Sequence, residues 1–234
     1  MLILLQNGGL TMISKIIFDL DNTLIDWQED FYTNSVKALC QKYGISSYYS
    51  EVLKLVEQVM ENYEKKYEYF KVLYMVKELN LYKEELNNTN FNFVFTEDFV
   101  NSLLVEFSYC VPKHINPEIV ETLEFLNSKY SLVVLTNWFA WQQAKRLERS
   151  KLLKYFDNVY GTEDVKIKPN KEAFIMAAGN IPLDNCLMVG DNYKTDICGA
   201  LNAGLHVIFY NRKNEKVESN VTSIKSFSEL KTLL

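Results

Sequence analysis

Two aspartates stand two residues apart, Asp19 and Asp21, directly after the run Ile16-Ile17-Phe18. Branched and aromatic residues in such a run suit a buried strand, so the carboxylates fall where that strand should end. Two later apolar runs finish in the same manner. Leu132–Leu135 is followed by Thr136 and Asn137, and Leu187–Gly190 by Asp191, with Asp196 shortly beyond. Lys168, just before Pro169, supplies an amine between them. Ligands of a parallel α/β sheet bind outside the carboxyl ends of its strands, so these residues are expected to share one site.

Such a set suits phosphoryl chemistry. Asp19 and Asp191 offer the hard oxygen ligands that Mg²⁺ takes. A phosphate monoester is a dianion near neutral pH and repels a carboxylate nucleophile unless that charge is offset. Mg²⁺ and Lys168 would offset it, while the Thr136 hydroxyl and nearby backbone N–H groups would hold phosphoryl oxygens. On an extended chain Asp19 and Asp21 point the same way. Two adjacent carboxylates resist ionising together, which predicts one nucleophile and one acid. Asp19 is then the expected nucleophile. Asp21 is the expected acid for the leaving alkoxide, and afterwards the base that activates water. Lys166 rivals Lys168, but Lys168 abuts Pro169 and the following helix cap.

The elements that must position these groups alternate. Apolar runs at Lys15–Asp19, Leu132–Thr136, Asn158–Tyr160, Cys186–Gly190 and His206–Tyr210 read as strands. Helical segments lie between the later ones. Asn116 caps a helix with Pro117 at its first position, Asn170 caps another that Gly179 stops, and Gly204 ends a third. Ser226 and Glu229 form a capping box. This rhythm predicts an α/β fold with a parallel sheet. From about Asp26 to Pro112 it breaks, and the periodicity there is helical. Val52, Val56, Val59, Tyr63, Tyr67, Phe70 and Leu73 recur at three- and four-residue steps, which predicts a helical insertion after the first strand. Asn87–Asn90 is a polar break within it. Asp26 and Glu29, near its start, read as solvated, and the sequons at Asn87 and Asn220 carry no weight without secretion.

The stretches "FDLDNTL", "VVLTN", "KIKPNKEAF" and "LMVGDNYKTDICGALNAG", in that order, resemble the haloacid dehalogenase superfamily of aspartyl-phosphate phosphohydrolases. They cover most of the chain outside the insertion. The resemblance implies a Rossmann-like core of residues 1–26 and 113–234 with an inserted helical cap, 27–112. It implies Mg²⁺ bound by the Asp19 and Asp191 carboxylates and the Asp21 backbone carbonyl, with Asp196 in the outer shell. Asn137 would bind phosphate through its backbone. The implied activity is hydrolysis of small phosphomonoesters through an aspartyl-phosphate. One branch is similar to nucleotidases, and a pyrimidine nucleoside monophosphate is the first substrate to expect. Many relatives have a small residue where this chain has Trp138. That ring and the aromatic insertion residues would offer a base a surface to stack on. A sugar phosphomutase of the same superfamily is the nearest rival. A phospho-receiver and a silent phosphometabolite-binding protein are alternatives of a different class. A dehalogenase is disfavoured, since that chemistry needs neither the acid at Asp21 nor a metal.

Composition narrows the field further. The 234 residues are 48% hydrophobic, enough for a sizeable core. The formal net charge is −5 with no basic block, which argues against nucleic acid polymers. Four scattered cysteines form no CxxC pair and fit a reducing cytoplasm better than a disulfide framework. The stretch Met1–Met12 reads as neither signal peptide nor membrane span, and Met12 is an alternative start. His206 reads as structural. A monomer or homodimer acting on a small phosphorylated metabolite is the expected form.

Overall fold

The computed structural model describes residues 3–6, 9–28, 30–86, 90–163, 165–219 and 221–234, with only the backbone of 3–6 and 9–11. Glu29 and the sequons at Asn87 and Asn220 lie outside the described residues.

A short antiparallel pair, β1 (Ile3–Gln6) and β2 (Gly9–Met12), precedes the main sheet. The sequence reading expects no strand here, although the Asn-Gly pair between two apolar runs is a hairpin-type signal. β3 (Lys15–Phe18) follows, and then four helices: α1 (Phe31–Lys42), α2 (Tyr49–Lys66), α3 (Val72–Glu85) and α4 (Glu97–Phe107). The remainder alternates as α5 (Pro117–Asn127), β4 (Ser131–Leu135), α6 (Ala140–Arg149), β5 (Asn158–Tyr160), α7 (Lys171–Ala178), β6 (Cys186–Gly190), α8 (Gly199–Ala203), β7 (His206–Tyr210), β8 (Thr222–Ile224) and α9 (Leu230–Leu233). The main sheet has the order β5-β4-β3-β6-β7-β8. Every neighbour pairs in parallel. Its faces are buried by separate clusters, one around Phe18, Leu132 and Phe227, the other around Ile17, Phe174 and Met188.

Local chemistry explains most boundaries. Asn116 accepts from the Glu118 N–H with Pro117 at the first turn, and Gly204 ends α8 in the left-handed conformation. Ser226 and Glu229 complete their capping box. Asn170 occupies the cap position of α7 without capping it; its amide donates to the Ile167 carbonyl instead. β8 escaped the sequence reading because Thr222-Ser223-Ile224 is a short, half-polar edge.

Helices α1–α4 build a hydrophobic cluster of their own, from Phe31 through Val56 and Phe99 to Phe107, which also takes in Trp138, Phe139 and Ile167. The predicted helical stripe holds through Val52, Val56, Val59 and Tyr63, all buried on α2. It then overruns the helix. Tyr67 is extended, and Leu73 is 62% exposed. Phe70 is buried for another reason: its N–H donates to the Thr162 carbonyl, while the Ile167 N–H donates to Glu68. The segment between α2 and α3 thus docks on the loop leading to Lys168, and those bonds replace a further helical turn.

Candidate active site

Register creates the site. Phe18 pairs with Val134 on one side and Val189 on the other, so β3, β4 and β6 finish level. Asp19, Thr136 and Asp191 follow these strands along one edge. The Asp19 N–H still donates to the Val189 carbonyl at 2.9 Å, and beyond it the chain turns, with Asn22 at a positive φ of 61°. Asparagine tolerates that conformation better than most residues.

Lys168 organises the centre. Its side chain is 2% exposed, and Nζ donates to Asp19 Oδ1 and Asp196 Oδ1, each at 2.7 Å, and to the Leu135 carbonyl at 3.1 Å. Burial opposes its charge, but Asp19 and Asp196 outweigh that and raise its pKa. Lys166 instead pairs with exposed Glu68 at 2.9 Å. Asn137 fixes the lysine's backbone: its amide donates to the Lys168 carbonyl at 3.0 Å and accepts from the Lys168 N–H at 2.7 Å. The sequence reading gave Asn137 a backbone role and did not see this clamp.

Asp191 and Asp196 meet Asp19 in one cluster, with an oxygen of each carboxylate within 4.8 Å of the others. Thr23 Oγ1 lies within reach of Asp19 Oδ2 and Asp191 Oδ1, at 3.2 and 3.4 Å. One turn of π-helix, Tyr193–Cys198, brings Asp196 back to the strand end, where Oδ2 accepts from the Asn192 N–H at 3.1 Å. A Cβ at Gly190 would collide with the Asp196 carboxylate, which explains the glycine. Burial raises the Asp19 pKa to about 8, with Lys168 opposing and Asp196 and Asp191 adding to it. Burial and Asp196 raise Asp191 to about 6. Three crowded carboxylates with hard oxygen donors fit a small divalent cation, whose charge relieves this repulsion.

The like charges that raise Asp19 most are Asp196 and Asp191, which the paired-carboxylate expectation did not include. The strand ends at Phe18, so alternation does not carry through the turn. Asp21 has separate partners on α6: Arg146 Nη1 donates to Oδ1 at 2.5 Å, and Gln143 Nε2 donates to Oδ2 at 2.9 Å. Gln143 also donates to Thr136 Oγ1 at 3.2 Å, leaving the threonine proton for another acceptor. Arg146 and Gln143 escaped the sequence reading because a helical Gln and Arg look like surface residues.

A cavity of about 310 Å³ opens over this edge, within the roughly 300–1,000 Å³ of small-molecule sites. Trp27, Phe31, Met60 and Glu64 line it from the insertion side. Trp138 borders it as well. It is 9% exposed and packs against Phe70 at 4.8 Å between ring centroids. Its expected role as an open stacking surface is therefore corrected, because the insertion has covered it. Trp27, stacked on Phe31 at 4.2 Å and 38% exposed, is the open ring. Asp26, expected to be free in solvent, pairs with Arg212 at 2.6 Å although it remains exposed. No helix among the described residues is long and apolar enough to cross a membrane.

Comparison with known proteins shows the family and the fold. Residues 16–210 match the family model of the haloacid dehalogenase-like hydrolases. A pyrimidine 5'-nucleotidase of Escherichia coli is 34% identical over 59% of this chain, and the match spans 62% of that relative, under two thirds of its length. A glyceraldehyde 3-phosphate phosphatase of Methanothermobacter thermautotrophicus is 28% identical over 95% of this chain and all of its own length. The fold superposes on a Bacillus subtilis hydrolase described as bound to magnesium, with a TM-score of 0.68 and 20% identity, over 95% of this chain and 99% of that one.

Proposed function

For this chain, which belongs to the haloacid dehalogenase-like hydrolases, we propose Mg²⁺-dependent hydrolysis of small phosphomonoesters through an aspartyl-phosphate on Asp19. The observation that carries the reading is Lys168 at 2.7 Å from both Asp19 and Asp196, with Asp191 completing the cluster. Asp19, Asp191 and the Asp21 carbonyl are the groups to hold Mg²⁺, with Asp196 behind them. When bound, the ion supplies the positive charge that lets a carboxylate approach a phosphate dianion. Asp19 attacks phosphorus, and the P–O bond to the leaving group breaks. Asp21 protonates the departing oxygen, then takes a proton from the water that attacks the aspartyl-phosphate. Thr136, Lys168 and the Asn137 backbone bind the phosphoryl oxygens.

Residues 27–112 serve as a cap in this reading, excluding water and bulky substrates. Within the cavity the insertion offers a stacked aromatic pair, Trp27 on Phe31, and an acceptor, Glu64. A ring and an acceptor suit the base and hydroxyls of a nucleoside monophosphate. The nucleotidase name of the E. coli relative supports the same substrate class. The name of the Methanothermobacter relative, a glyceraldehyde 3-phosphate phosphatase, favours a triose phosphate as the second reading. A panel of nucleoside, sugar and triose monophosphates with Mg²⁺ decides between them. A pyrimidine nucleotide is expected to lead. A triose phosphate ahead by tenfold in kcat/KM, about 1.4 kcal/mol of transition-state discrimination, replaces the nucleotide reading. Full turnover in excess chelator overturns the Mg²⁺ dependence.

A further inference from the structure

Arg146 is among the largest fully buried side chains and is 1% exposed. It leaves α6 in the core and touches three regions at once. Nη1 donates to Asp21 Oδ1 at 2.5 Å, Nε donates to the Cys110 carbonyl at 3.2 Å, and the guanidinium carbon lies 5.5 Å from the Phe31 ring centre. Phe31 begins α1 and Cys110 follows α4, so these two contacts lie on the two connections between the helical insertion and the sheet. Nη1 also donates to Gln143 Oε1 at 2.9 Å, while the Gln143 amide holds the other Asp21 oxygen. Both carboxylate oxygens are thus gripped from one helix.

A buried guanidinium costs stability unless it is paired, and an apolar side chain would fill the same space. Both side chains border the cavity, but Asp21 is 30% exposed to it and Arg146 only 1%, so a substrate meets Asp21 first. Nη2 has no hydrogen-bond partner among the described residues, so the fork holds Asp21 through one nitrogen. Each Asp21 oxygen keeps a second lone pair, on which the transferable proton can sit. We propose that Arg146, together with Gln143, is a positioning residue. The pair fixes the Asp21 carboxylate towards the leaving oxygen, and Arg146 ties that position to both connections of the insertion. This rests on the phosphatase reading above. In the first step Asp19 bonds to phosphorus, the P–O bond breaks with its electron pair on the leaving oxygen, and that oxygen takes the Asp21 proton. Misplacing Asp21 therefore harms substrates in proportion to their need for that proton.

The test measures kcat/KM along a series of aryl and alkyl phosphates with saturating Mg²⁺, for the parent chain, Arg146→Met, Arg146→Lys and Gln143→Met. For Arg146→Met, p-nitrophenyl phosphate, whose leaving group needs no proton, is expected within about threefold of the parent, and an alkyl phosphate about 100-fold lower. Arg146→Lys should fall between parent and Met. In an Asp21→Asn background, Arg146→Met should cost no more than about a further twofold, because both act on one step. If Arg146→Met does not fold, Gln143→Met carries the same comparison with a smaller tilt. Equal losses across the series, or additive losses in the Asp21→Asn background, overturn the positioning role while leaving the phosphatase reading in place. A parent chain that hydrolyses no phosphomonoester overturns both.

Discussion

The sheet edge and the helical insertion face each other across one cavity and are built on different physics. The edge is ionic and buried, with a lysine locked between two carboxylates and a third close by. The insertion brings the rings of Trp27 and Phe31 to the cavity beside Met60 and Glu64, and its cluster covers Trp138 of the core. Trp27 and Trp138 both line the cavity, yet one is 38% and the other 9% exposed. In the edge, position along the strand dictates what a residue can do. In the insertion, packing against other helices dictates it. Groups proposed for the chemistry therefore gather on the first surface, and groups proposed for substrate choice on the second.

The sharpest way to break this comparison is at the nucleophile. Asp19→Asn keeps shape and removes the attacking oxygen, so turnover should drop about 10⁴-fold or more while the melting temperature changes little. A surviving rate would move the chemistry elsewhere. The opposite signature belongs to Trp138→Ala. A large ring packed among Phe70, Phe107 and Phe139 should cost about 3 kcal/mol of stability in chemical denaturation. Its effect on KM should be smaller than that of Trp27→Ala. Trp27→Ala should leave stability nearly intact and weaken nucleotide binding by about 1–3 kcal/mol, the usual worth of base stacking. Equal KM effects at the two tryptophans would erase the distinction between covered and open rings.

A smaller effect separates the ionic edge by pH. Asp19 and Asp191 have folded pKa values of about 8 and about 6, above the ordinary 3.8, so the native state holds protons that the unfolded state has lost. From these groups, metal-free stability falls as pH rises from about 4 to about 8. Mg²⁺ favours the ionised forms, so it should raise the melting temperature more at pH 8 than at pH 5.5. A gain that is flat with pH would remove the carboxylates from the metal site. The smallest effect is expected at the exposed pair Lys166–Glu68, where Lys166→Ala should leave the melting temperature almost unchanged because solvent screens the charges.

How much of this was legible depended on range. Asp19, Thr136, Asp191 and Lys168 were readable because strand ends are marked by apolar runs and turn residues a few positions away. The grip of α6 on Asp21 was not, since Gln143 and Arg146 are more than 120 residues downstream and nothing local marks them as buried. The overrun of α2 had the same origin. Phe70 continues the helical spacing, but its N–H found the Thr162 carbonyl.

The sequence by itself determined the alternation that makes a parallel sheet, the placement of acids and an amine after its strands, and the helical character of the insertion after β3. Those are consequences of side-chain periodicity and local caps, which act within a few residues. Only the tertiary structure decided that Asp19 is crowded by Asp191 and Asp196. It also decided that Arg146 is buried at the join of core and insertion, and that Trp27 is the ring left open. Each of these depends on which distant surfaces meet, and burial and Coulomb energy follow distance in space, not separation along the chain.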